Sequence, residues 1–185
     1  MRGPMNLFLN RLIRAAMLDA SLYEEVIADT GTMFQAMMAV FIYSAASAYG
    51  GFGRAGVAGI NFGMITTLIG WYIWAFSTYF IAVRLLPEAE TNLNRKAMLR
   101  AMGFASSPGL IRLLGLIPNL AGTMLIIASV WMFAAAVVAI KQAMNYKSIY
   151  RAVGVCMIGW IISAIFQSLM YFSLLSVFGI PDQQF

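Results

Sequence analysis

Apolar side chains first recur at Met5, Phe8, Leu9, Leu12, Ile13, Ala16 and Met17, with Asn6, Asn10 and Arg14 between them. This 3–4 spacing predicts an amphipathic helix, and its arginine-bearing polar face suits a membrane interface. Beyond residue 31 the two-faced pattern gives way to long apolar runs at 32–49, 57–86, 97–117, 120–140 and 152–178. GGFGRAG, PEAETNLNRK, the pair Pro118–Asn119 and KQAMNYKSIYR separate them. A helix that is apolar all round belongs in lipid or in a core. The predicted fold is therefore an all-α integral membrane protein: five transmembrane helices preceded by an N-terminal amphipathic interfacial helix. Residues 1–31 form a cytosolic amphipathic and acidic segment, 32–178 the transmembrane domain, and 179–185 a short external tail.

The third run is the one that needs an argument, because FASSPGLIRLLGLIP carries Arg112 and a proline near each end. If it stays on one side, the basic residues divide eight to four across the membrane. If it crosses, Lys141, Lys147 and Arg151 join the N-terminal side and the division becomes ten to one. Positive charge collects on the cytosolic side, so the second arrangement is expected. It sets the N-terminus in the cytosol and the C-terminus outside. Pro108 then kinks the helix and frees backbone carbonyls.

Composition supports lipid as the solvent. The 185 residues are 62% hydrophobic and 10% charged, with no histidine. A soluble domain carries about a quarter charged residues. The net charge of +5 sits in short loops, where it sets topology, and gives no sign of nucleic-acid binding. Without histidine, imidazole-ligated haem, chlorophyll, zinc or copper is not expected. Cys156 stands alone in an apolar run, so neither a disulfide framework nor a thiolate cluster is predicted. Asn10, Arg11 and Arg14 interrupt the first apolar stretch, so a cleavable signal is not expected either. LIGWYIWA at 68–75 echoes MIGWIISA at 157–164, but eight residues do not establish an inverted repeat.

Chemistry is sparse within the runs. No Asp or Glu lies between Asp29 and Glu88 or between Glu90 and Asp182. Intramembrane carboxylates are the usual proton relays, and Thr66, Thr67, Ser77, Thr78, Ser129 and Ser163 have no histidine base. No catalytic residue, metal ligand or cofactor is therefore predicted, and the chain is not expected to be an enzyme. Arg112 has no intramembrane carboxylate partner. It is expected to snorkel outward past Ile117, or to contact carbonyls near Pro108, a lipid phosphate or another anion. Gly59, Gly63 and Gly70, with Gly56 and Thr66, form a small-residue face that marks helix packing. Trp71, Trp74 and Trp131 fall near mid-depth, where packing is expected and a stacked lipid, quinone or pigment is the alternative. The fourteen methionines add an adaptable interior. A small transporter or channel is the competing function, with a wet path lined by Asn61, Thr66, Thr67, Gln167 and Arg112.

RAAMLDASLYEEVIAD, LRAMGFASSPGLIRLLGLIP, and WMFAAAVVAIKQAMNY followed by RAVGVCMIGW resemble, in order and spacing, the bacterial branch of the Yip family, named for interaction with Ypt/Rab GTPases. The resemblance spans about 14–160. It implies five transmembrane helices, a cytosolic N-terminus and a short outer tail. Eukaryotic relatives work in vesicle traffic and membrane shaping, associate with one another and bind prenylated small GTPases. This chain departs from them in the long N-terminal domain, so a small GTPase partner is implied by the resemblance alone, and that departure counts against direct binding. An acidic segment before the first span matters in those relatives, and Tyr23, Glu24 and Glu25, with Asp19 and Asp29, occupy the corresponding place. Read physically, these acids share a side with Arg95, Lys96, Arg100, Lys141, Lys147 and Arg151. They are expected to dock onto those loops or to capture a basic partner protein. The expected function is thus non-catalytic: organising membrane-protein partners, further copies of itself or lipid, with an accessory subunit of a larger complex as one form.

Overall fold

A computed structural model of the chain describes residues 4–52, 56–87, 94–117 and 119–178. The predicted external tail and parts of the predicted turns, including Arg54 and Pro118, lie outside them. The described residues are helical, with no strand among them. Two short helices open the chain, α1 (Pro4–Ala16) and α2 (Ala20–Ala28), followed by α3 (Met33–Phe52) and α4 (Gly56–Phe80). Next come α5 (Arg95–Ala105), a 3-10 helix at Ser107–Leu116, α6 (Ala121–Ala143) and α7 (Ile149–Phe178).

Local chemistry sets the corners. Asp19 caps α2 by accepting from the Ser21 N–H at 3.0 Å, and Asp29 accepts from the Gly31 N–H at 2.9 Å. The chain bends by 99° between Ala20–Ala28 and Thr30–Gly50, so α2 lies across the start of α3. At the end of α4 one π-helical turn, Ile81–Leu85, closes against Leu86, whose carbonyl accepts from the Tyr146 hydroxyl at 2.7 Å.

Among the described residues three helices are long and apolar enough to cross a membrane: Gly56–Leu85, Ala121–Ala143 and Ile149–Met170. The bent pair α2–α3 makes a fourth if counted as one span. Their outward residues are large and apolar, among them Phe41, Ile65, Ile126, Val130, Ile165 and Leu169. An envelope of this kind is compatible with an integral membrane protein. The tight core is at the other end of the molecule. There Leu22, Tyr23 and Val26 of α2 meet Met98, Met102 and Phe104 of α5 and Ala136, Ala139 and Ile140 of α6, all buried.

The segment 97–117, predicted as one kinked helix, is built as two. The break falls at Ser106, and the hydroxyls of Ser106 and Ser107 donate to the carbonyls of Gly103 and Phe104 at 2.6 Å each. Pro108 stands in the first turn of the 3-10 helix, where its missing N–H matters least. Neither piece alone is long enough to count as a membrane span. Their separate lengths add to ~36 Å, at ~1.5 Å per α-helical and ~2.0 Å per 3-10 residue, and the pair is not among the candidate spans.

Contacts give the direction of this two-part segment. Gly103 lies against Ala36, Gly109 against Tyr43, and Arg112 against Gly50, so it runs parallel to α3. Gly115 lies against Ala121 and Gly109 against Met132, so it runs antiparallel to α6. On the other flank α7 runs antiparallel to α4, with Gly159 on Thr78 and Gln167 on Gly70.

Candidate functional site

Two polar clusters and one helix seam hold the chemistry-bearing residues. The first cluster is centred on Arg112. Two glycines seat its 3-10 helix between α3 and α6: a Cβ at Gly109 would collide with the Tyr43 ring and the Met132 sulfur, and one at Gly50 with the Arg112 carbonyl. From this close seat the guanidinium reaches both neighbours. Nη1 donates to the Tyr43 hydroxyl at 3.2 Å and to Ser47 Oγ at 2.7 Å, while Nη2 donates to Ser129 Oγ at 3.0 Å. The Ser129 hydroxyl in turn donates to the Leu125 carbonyl at 2.8 Å. The guanidinium carbon stands 5.3 Å from the centre of the Tyr43 ring, within cation–π range. Nε is buried without a partner.

Arg112 therefore does not snorkel outward. Its backbone lies beside Gly50, but its charge reaches back to Ser47 and Tyr43, toward the start of α3 and away from Ile117. Hydroxyls on two other helices receive it, rather than the carbonyls near Pro108 that were one of the alternatives. The i, i+4 pairing of Tyr43 and Ser47 was a usable sequence signal, since it puts both hydroxyls on one helix face.

The second cluster joins α1 to α2. Arg11 donates to Glu25 Oε1 at 2.8 Å, to Gln35 Oε1 at 2.8 Å and to Asp29 Oδ2 at 3.3 Å. Arg14 donates to Asp19 Oδ2 and Glu25 Oε2, each at 2.7 Å, and to the Ser21 hydroxyl at 3.0 Å. Hydrogen bonds from Ser21 and Arg14 push the Asp19 carboxyl pKa down to about 2. Partial burial alone would raise that of Glu25, but hydrogen bonds from Arg14 and Arg11 outweigh it and the net shift is downward. Arg14 is shifted upward by its bonds to Asp19 and Glu25.

The acids thus dock internally, though on α1 and not on the connectors that the sequence suggested. Among those connector cations Arg100 does reach α2, but it serves backbone. Its Nε donates to the Val26 carbonyl at 2.7 Å and its Nη2 to that of Ile27. A cation on the last carbonyls of a helix offsets their negative dipole end. Tyr23 is fully buried and donates to the Ala15 carbonyl at 3.2 Å, so its ring and hydroxyl are turned away from any partner. Glu24 alone of the four candidate partner residues is exposed with its carboxylate outside this network.

The glycine face of α4 reaches α7 at Gly70. Gly63 and Gly70 are buried and Gly59 is half-buried. A Cβ at Gly70 would come within 2.7 Å of the Gln167 amide carbon. The Ser163 hydroxyl donates to the Gly70 carbonyl at 2.8 Å, and Gln167 Nε2 donates to Ser163 at 3.2 Å. Trp71 and Trp74 are buried with their indole N–H groups unpartnered. Trp131 is different: it is 37% exposed and donates to the Ala16 carbonyl at the end of α1 at 2.7 Å.

Arg112 lies apart from the other residues of the channel reading. Arg112 belongs to the α3–α6 side, Gln167 to the α4–α7 seam, Thr66 and Thr67 are buried, and Asn61 is exposed. Between α4 and α5 a cavity of about 10 Å³, room for one water, is lined by Tyr72, Ala75, Tyr79, Arg95 and Met98. Comparison of the chain with protein-family models, with curated proteins and with solved structures finds no match.

Proposed function

We propose that the chain is a non-catalytic, five-span integral membrane protein of Yip type that organises protein partners or lipid, for instance as an accessory subunit of a larger membrane complex. The observation that carries this reading is where its polar groups go. Arg112 is taken up between α3 and α6, and Ser163 with Gln167 at the contact of α7 with α4, while the large exposed side chains of α4, α6 and α7 are chiefly apolar. Such a molecule offers other molecules helix surfaces.

Five crossings are supported by direction. The two-part segment follows α3 and opposes α6, as a third passage between two others would. In this reading the N-terminus is cytosolic, the C-terminus is outside, and the setting is a bacterial cytoplasmic membrane. A tag on each end, tested for access in sealed inside-out and right-side-out vesicles, should report opposite compartments. Both tags in one compartment would remove the third crossing. Extraction in mild detergent followed by native mass spectrometry tests the role itself. A defined larger assembly, or retained lipid, is expected, and bare monomers free of both would count against it.

A further inference from the structure

The first helix is laid out unlike a helix bathed in water, although Leu12 and Ala15 pack inward. Its two cations, Arg11 and Arg14, face the protein, where carboxylates take them up. Its outward ridge consists of Met5, Leu9, Ile13 and, one residue past the helix, Met17, each four positions from the last and between 50% and 74% exposed. A helix lying against water would place these residues the other way round.

Its position is equally informative. The carbonyl of Ala16 accepts the indole N–H of Trp131, and Trp131 is ten residues from Ala121 and twelve from Ala143. At ~1.5 Å per residue that is ~15 Å and ~18 Å from the two ends of α6. The C-terminal end of α1 is therefore held at the middle of a helix apolar enough to cross a membrane. Around the junction α6 exposes Ile126, Ile127 and Val130, so its apolar outer surface continues into the ridge of α1. The other end of α1 differs, since Asn6 is exposed there and Asn10 is exposed at the helix midpoint, where they can meet polar headgroups.

We infer that α1 is sunk slantwise into the cytosolic leaflet, its amide-bearing start among the headgroups and Ile13 and Met17 among the acyl chains. The occupant of the Met5–Leu9–Ile13–Met17 ridge is lipid hydrocarbon. The Trp131–Ala16 bond holds the helix at that depth, and an N–H donated to a carbonyl in lipid has no water competing for it. This inference rests on reading α6 as a membrane-crossing helix, so the experiment examines the two separately.

Spin labels at Met5→Cys, Leu9→Cys, Ile13→Cys and Met17→Cys, one per molecule, can be measured in liposomes for relaxation by oxygen and by a water-soluble nickel chelate. Cys156 is buried and does not compete for label. Ile165→Cys on α7 and Glu24→Cys serve as the lipid and water references. The oxygen-to-nickel ratio is expected to rise from Met5 to Met17 and to reach the Ile165 value at the last two positions. Nickel reaching Ile13 and Met17 as freely as Glu24, with Ile165 still in hydrocarbon, would overturn the inference alone. Nickel reaching Ile165 as well would overturn the membrane reading beneath it. Label–label broadening that disappears on dilution with unlabelled protein would show a second copy on the ridge, and would also overturn it.

Discussion

Arg112 donates to the hydroxyl of Ser47 at 2.7 Å, and in doing so turns its charge from the nearer end of its own helix into the bundle. With Ser129 on the opposite side at 3.0 Å, one guanidinium ties α3 to α6 through the 3-10 helix between them. Hydrogen bonds from a charged donor contribute more than neutral ones, and an unpaired partner left behind costs further.

Replacing Arg112 with glutamine should lower stability by about 1–3 kcal/mol, because no shorter amide can span both hydroxyls. Arg112→Lys should lose nearly as much, since a single ammonium on a flexible stem cannot fork between two helices. Thermal unfolding in detergent checks both. Lysine performing as well as arginine would mean that charge alone matters at this position and that the fork does not.

Two glycines should respond differently to one added methyl group. At Gly103 the new carbon would stand 2.8 Å from the Ala36 Cβ and 2.9 Å from its carbonyl oxygen, so backbone must move. Gly103→Ala should cost about 1–3 kcal/mol. At Gly70 the obstacle is the amide end of Gln167, a side chain able to swing aside. Gly70→Ala should cost less, and the pair Gly70→Ala with Gln167→Ala should recover most of that loss. Equal penalties at the two sites, read as unfolding temperatures, would contradict the close approach of α5 to α3.

The joint between α1 and α2 should resist acid. Asp19 has its pKa depressed to about 2 and Glu25 is shifted in the same direction. A carboxylate with a lowered folded pKa contributes stability that is complete above its unfolded value and is lost as pH falls through the folded one. The joint should hold from neutrality down to about pH 4, the ordinary aspartate range, and loosen as pH approaches 2. Hydrogen exchange of the α2 amides against pH measures this, and opening already complete at pH 5 would mean the arginines do not hold these acids.

The long apolar runs made α4, α6 and α7 legible from sequence, because a helix in lipid needs little more than length and hydropathy. Two things were not legible. The first is the break at Ser106. Pro108 announces a kink, but nothing in its own identity says that ten residues will wind as a 3-10 helix. That choice depends on how closely Gly109 can sit on Tyr43 and Met132. The second is the partner of each charge. Sequence put Arg11 and Arg14 on the same side as the acids but could not rank them against six connector cations. The 99° bend after α2 brings the acids onto α1. Tyr23 follows the same logic. It reads as part of an acidic motif, but on α2 it shares the inward face with Leu22 and Val26.

Glu24 and Glu25 are adjacent in sequence and should separate cleanly by experiment. Glu25 accepts from both Arg11 and Arg14, so Glu25→Lys would place three cations together and loosen α1 from α2. Its side chain keeps 36% of its surface exposed, so solvent screening limits the penalty to about 1 kcal/mol. Glu24 lies outside this network and points outward, so Glu24→Lys should leave the unfolding temperature unchanged. A change in the proteins that co-purify with Glu24→Lys would then report a contact made by this carboxylate, because the fold beneath it is unaltered. If Glu24→Lys instead destabilises the protein as much as Glu25→Lys, both carboxylates belong to the internal joint, and partners must be sought on the apolar faces of α4, α6 and α7.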